Sequence, residues 1–135
     1  MIDVQHGQSG PDVTTKISPH SVSETVERLT SILAARGLTL FAVIDHSGGA
    51  QAVGLSLRDT KLVMFGNPVS GTSVMVASPL AALDLPLKVL VWDDDGQTKV
   101  SYTSPQTLAV RYHLSADLAA NLQGIVAITD AVVAP

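Results

Sequence analysis

At 135 residues, with 46% apolar and 15% charged residues, the chain has the composition of one folded domain, and intrinsic disorder is excluded. Eight Lys and Arg against twelve Asp and Glu give a net charge of −4, which argues against a nucleic-acid-binding face because phosphate contacts need clustered cations. Cysteine is absent, so disulfides, thiolate catalysis and cysteine-ligated metal sites are excluded.

The first ten residues, Met1 to Gly10, are polar and lack the basic start and apolar run of a secretory signal. They are expected to form a flexible arm ahead of a single domain over residues 11–135. No stretch approaches the roughly 18 consecutive apolar residues of a membrane-spanning helix, so no membrane partner is expected and the expected location is cytoplasmic.

Val13 to Ile17 is short and β-prone, a first strand broken by Ser18-Pro19-His20. Ser21-Val22-Ser23-Glu24 fits a capping box, and Val22, Val26, Leu29 and Leu33 then follow at helical spacing until Gly37. Leu38 to Ile44 is almost continuously apolar and predicts a strand covered on both faces or nearly so. Asp45-His46-Ser47-Gly48-Gly49 reads as a turn, with Ala50 to Leu57 a short helix or an irregular connection.

Lys61 to Phe65 is a further strand ended by Gly66-Asn67-Pro68, and Thr72 to Ala77 predicts a short helix before Pro79. Leu87 to Trp92 and Lys99 to Tyr102 are strands joined by a hairpin turn through Asp94-Asp95-Gly96. Ser104-Pro105 starts a helix running to about Tyr112 or His113. Ser115 caps a last helix, with Leu118, Leu122, Ile125 and Ile128 or Thr129 as its buried stripe. Strands and helices are mixed rather than strictly alternating. The expected fold is therefore α+β, a two-layer sandwich of mainly antiparallel sheet with helices on one face.

Three stretches in order, Phe41-Ala42-Val43-Ile44-Asp45-His46, Lys61-Leu62-Val63-Met64-Phe65-Gly66-Asn67-Pro68 and Leu85-Pro86-Leu87-Lys88-Val89-Leu90-Val91-Trp92, together with Ser23-Glu24-Thr25-Val26 and Ser101-Tyr102, resemble the domain of unknown function 302 family of small bacterial and archaeal proteins. The resemblance covers about residues 14–130. It implies a two-layer α/β sandwich that tends to dimerise, and it implies no particular reaction. Related branches carry cysteines at the positions of Gly66 and Leu87, so thiol or soft-metal chemistry does not transfer to this chain.

Five polar residues are candidates for ligand binding. Asp45 and His46 could act as a carboxylate-oriented base, yet adjacent strand residues point to opposite faces, and a cap by Asp45 is the preferred reading. Asn67 stands at a strand end, where binding groups are often presented, though Asn before Pro is also an ordinary strand exit. Lys88 interrupts an apolar run, so it either covers apolar surface with its stem or pairs with Asp45 or an anionic ligand. Tyr102 adds a hydroxyl if the hairpin neighbours that strand.

The four histidines, His6, His20, His46 and His113, lack helical metal-ligand spacing, and Met64 and Met75 suit core packing better than a soft metal. No metal, no cofactor, no phosphate loop and no nucleophile elbow is expected, and no catalytic residue is assigned. The leading expectation is a homodimeric, non-catalytic binding or interaction module, because high apolar content with few charges leaves surface to bury against a partner. The alternative is a small-molecule sensor or small enzyme, which requires Asp45, His46, Asn67, Lys88 and Tyr102 to converge on one concavity.

Overall fold

The computed structural model describes residues 12–135, so the expected arm over residues 1–10 lies outside the described residues. Five strands, β1 (Val13–Ser18), β2 (Thr39–Asp45), β3 (Thr60–Gly66), β4 (Leu87–Asp94) and β5 (Gln97–Thr103), form one sheet in the order β1-β5-β4-β3-β2. Every pairing is antiparallel. Six helices accompany them: α1 (Val22–Ala35), α2 (His46–Ala52), α3 (Pro68–Ala77), α4 (Pro105–Arg111), α5 (Ala116–Ala120) and α6 (Gly124–Val132). A 3₁₀ turn spans Pro79–Leu83. The α+β sandwich expected from the residue pattern is the fold observed.

Local chemistry explains the ends of α1. The Ser21 side chain accepts the Glu24 N–H, which satisfies one of the helix's orphan donors. At the other end, Gly37 at φ +69° donates to Ala34, and Leu38 donates to Leu33. This is the Schellman arrangement, in which a left-handed residue lets the chain fold back onto the last carbonyls. The buried face differs slightly from the predicted stripe: Thr25, rather than Val26, is fully buried, its hydroxyl 2.8 Å from that of Ser18.

Alternation along the central strands decides the core. Val63 and Phe65 on β3, Val89 and Val91 on β4, and Val100 and Tyr102 on β5 face one side. There they meet Leu29 and Leu33 of α1 and Ile125, Ile128 and Val132 of α6. Arg28 ties the two helices together by donating to the carbonyls of Ala131, Val132 and Ala134 at 2.9–3.1 Å, a cation placed at the C-terminal end of α6. A second, smaller cluster of Val74, Ala81, Leu108 and Leu122 packs α3, the 3₁₀ turn and α4 beyond the end of β3.

Four expectations need correction. β2 is not covered on both faces: it is the edge of the sheet, and Leu40, Phe41, Val43 and Ile44 are 39–52% exposed. A continuous apolar run marks a strand that is buried or an edge awaiting cover, and periodicity alone does not separate the two. Residues 46–49 are helical rather than a turn. Asp45 caps α2 by accepting the Gly48 N–H at 2.9 Å and the Ser47 hydroxyl at 2.7 Å; Ser47 in turn accepts from the Thr60 N–H, with Asp59 at 3.1 Å a second, longer acceptor for the same proton. The last helix is interrupted between Ala120 and Gly124, giving α5 and α6. In addition, α3 begins at Pro68 rather than Thr72.

Candidate functional site

The sheet carries the five candidate residues to separate places. Asp45 closes β2, where its carboxylate accepts from Gly48 N–H and the Ser47 hydroxyl and lies 4.0 Å from the Lys61 ammonium. The Gly48 bond above all, then that of Ser47, holds this carboxyl below the usual range. His46 is the first residue of α2. Asn67 follows β3 at the opposite end of the β2–β3 pair, beyond the Thr39–Gly66 register position. Six strand residues separate the two ends, roughly 20 Å at the strand rise.

Lys88 alternates with buried Val89 and so stands on the sheet face away from the helices, donating to the Pro86 carbonyl at 3.1 Å. Tyr102 points the other way into the core, 4% exposed, with the Lys16 ammonium 5.2 Å from its ring centre. Asp45 and His46 are chain neighbours, and the rest do not converge with them. One polar concavity built from all five is not what the fold provides.

What the fold does provide is an apolar cavity of about 300 Å³ beneath the helix layer, next to Asn67. Four stretches enclose it: residues 38–41, 65–75, 85–87 and 121–128. Asn67 builds its rim because proline restricts the residue before it and because Asn67 Oδ1 caps α3 through the Val69 N–H at 2.9 Å. Pro68, at the first helical position, then directs α3 across the cavity. Phe41, Phe65, Met75, Leu85 and Ile125 are among its apolar lining. Asn121, in the break between α5 and α6, donates to the Ser70 carbonyl at 3.4 Å across the opening.

Of the five candidates, only Asn67 lines this cavity. The apolar wall went unrecognised because its residues come from four distant stretches, each of which reads as core. One local signal was available: Gly71, in the interior of α3, where glycine is unfavourable.

Residues 13–132 match the family described as Domain of unknown function DUF302. The chain belongs to the DUF302 family. The crystal structure of an uncharacterized conserved DUF302 protein from Bacillus stearothermophilus is similar in fold, with a TM-score of 0.77, 22% identity, and coverage of 92% of this chain and 97% of that one. Among curated proteins, this DUF302 chain is 39% identical over 110 residues to Fluoride-specific ion channel FluC 1 of Brucella suis biovar 1 (strain 1330), and equally so to FluC 1 of Brucella abortus biovar 1 (strain 9-941). The match takes in 79% of this chain but only 43% and 41% of those proteins, so the chain spans less than half of their length. No helix among the described residues is long and apolar enough to cross a membrane.

Proposed function

We propose that this DUF302 chain is a homodimeric, non-catalytic interaction module that joins a second copy through the outer edge of β2. The observation that carries this reading is the chemistry of that edge. Leu40, Phe41, Val43 and Ile44 are 39–52% exposed on a terminal strand, and Thr39–Asp45 contains no lysine or proline. Natural sheets protect a free edge with such residues, since its unpaired N–H and C=O groups otherwise recruit another strand. The opposite edge differs: β1 carries Lys16, which is drawn inward to Asp130 and Thr129. Antiparallel pairing of β2 with its own copy is isologous and self-closing, so it stops at two chains.

The wider comparisons suit this reading. The Brucella relatives carry a similar segment within a protein more than twice its length, as expected of a module that brings two copies of an attached part together. The scatter of Asp45, His46, Lys88 and Tyr102 favours an interaction role over catalysis.

Sedimentation of the wild-type protein and of Val43→Lys tests the proposal. The wild type is expected to be a dimer at about 100 µM, and Val43→Lys, which installs a charge near the centre of the edge, a folded monomer at the same concentration. A monomeric wild type, or a Val43→Lys dimer of unchanged affinity, overturns it.

A further inference from the structure

We infer that the cavity beneath α3 is a binding site for a small uncharged apolar molecule bearing one neutral hydrogen-bonding group, such as an alcohol. Three observations meet there. The first is charge: among the described residues, not one that lines the cavity is ionisable. A carboxylate or an ammonium placed inside would be desolvated without a counter-charge, at heavy cost. The second is shape: about 300 Å³ is the low end of the range for small-molecule pockets. That is the liquid volume of roughly ten water molecules, hence a ligand on the order of ten non-hydrogen atoms.

The third observation is Gly71. It stands within α3 on the cavity wall, donating an ordinary helical bond to the Asn67 carbonyl at 2.8 Å. Glycine inside a helix is less favourable than alanine. Packing does not require it here, because a Cβ added at Gly71 would meet nothing closer than the Met75 methyl at 4.0 Å. Nor does Gly71 have the positive φ that would demand glycine. A local rule broken with no structural compensation points to function, and what the missing side chain leaves behind is open cavity. Met75, facing Gly71 one helical turn on, is unbranched and adaptable, a lining that can settle around more than one apolar shape.

The rim supplies the neutral polar partner. Asn67 Oδ1 is taken by the Val69 N–H, so the amide nitrogen of Asn67 is the donor left for a ligand oxygen. The Ser70 and Thr72 hydroxyls lie in the same lining. Phe41 belongs both to this lining and to the β2 edge of the proposed dimer, whereas Gly71 and Met75 on α3 lie away from that edge; sedimentation therefore reports the dimer and the Met75 methyl reports the cavity, and the two can fail independently.

Methionine methyl NMR gives a direct test, with 1-octanol as the probe and octanoate as its charged counterpart. Met75 lines the cavity, whereas Met64 stands on the sheet face away from the helices, and Met75→Leu identifies the Met75 signal. Titration with 1-octanol is expected to shift the Met75 methyl saturably and leave Met64 in place, with octanoate binding at least tenfold more weakly. Gly71→Leu, which fills the cavity, is expected to weaken 1-octanol binding at least tenfold, whereas Gly71→Ala keeps it. An unmoved Met75, a Met64 shift with the same concentration dependence, or octanoate binding as well as octanol each overturns the inference. So does unchanged binding by a folded Gly71→Leu. Should Gly71→Leu not fold, the wild-type Met75 and Met64 shifts decide alone.

Discussion

The Tyr112 hydroxyl donates to the Asp84 carboxylate, which also takes a hydrogen bond from Arg111 at 2.8 Å. The contact joins the residue after the 3₁₀ turn to the end of α4, and so helps hold the smaller apolar cluster closed. The Tyr112 bond, with a lesser contribution from Arg111, holds the Asp84 carboxyl below its ordinary value of 3.8. The same bond pushes Tyr112 above 10.0.

The pH dependence follows from these directions. A depressed carboxyl stabilises the fold above its unfolded value, and that stability is lost as pH falls through the folded one. For Asp84 the loss comes on the acid side, below about 4. Tyr112 behaves oppositely: its contribution is complete below 10.0 and disappears as pH rises through its elevated folded value. Thermal unfolding followed across pH should show both slopes reduced in Asp84→Asn and in Tyr112→Phe. Unchanged slopes in both variants would show that the contact contributes nothing in solution.

Leu29 is fully buried between α1 and the sheet. Leu29→Ala is expected to destabilise by about 2–5 kcal/mol, the transfer and cavity costs combined. Urea unfolding measures it, and a loss below about 1 kcal/mol would mean that α1 collapses into the space.

The β4–β5 hairpin turns on Asp95 and Gly96, at φ +51° and +88°. Positive φ at both central residues defines the type I′ turn, whose twist matches that of the strands. Gly96→Ala is expected to cost about 1–2 kcal/mol through left-handed strain alone, since no described residue lies within 4 Å of the added methyl. The loss should appear in the unfolding midpoint with the m-value unchanged.

At Gly71 the sign reverses. Gly71→Ala adds a methyl in ordinary contact range and removes the conformational cost of glycine in a helix, so it is expected to stabilise by about 0.5–1 kcal/mol. A destabilised Gly71→Ala would show that the wall of the cavity is tighter than 4.0 Å.

Where local chemistry decides, the sequence was readable. The Ser21 cap, the Gly37 stop, the Asp95-Gly96 turn and Pro105 at the start of α4 each act within a few residues. The alternation of β4 and β5 was equally plain, and with it the antiparallel sheet. Tertiary context decided the rest. Two glycines argued against a helix after Asp45, yet Ser47 fixes one by bonds to Asp59 and Thr60, twelve and thirteen residues away. Gly66-Asn67-Pro68 ends β3 as the pattern predicts, but Pro68 also opens α3, four residues before the predicted start at Thr72. The hairpin does set the strands of Lys88 and Tyr102 side by side, but the pleat sends the two side chains to opposite faces.

The division of the apolar interior into two clusters has a consequence for motion. The larger is fastened by β3, β4 and β5 together, whereas the smaller rests on Val74 and Leu108 in helices, Ala81 in the 3₁₀ turn and Leu122 in the break between α5 and α6. Segments with fewer buried contacts open at lower free energy than the whole. Amide protons of α3 and α4 should therefore exchange with solvent before those of β3 and β4, while the sheet stays closed. Since the cavity lies along the seam between the clusters, breathing of the smaller one opens a way into it without unfolding the domain.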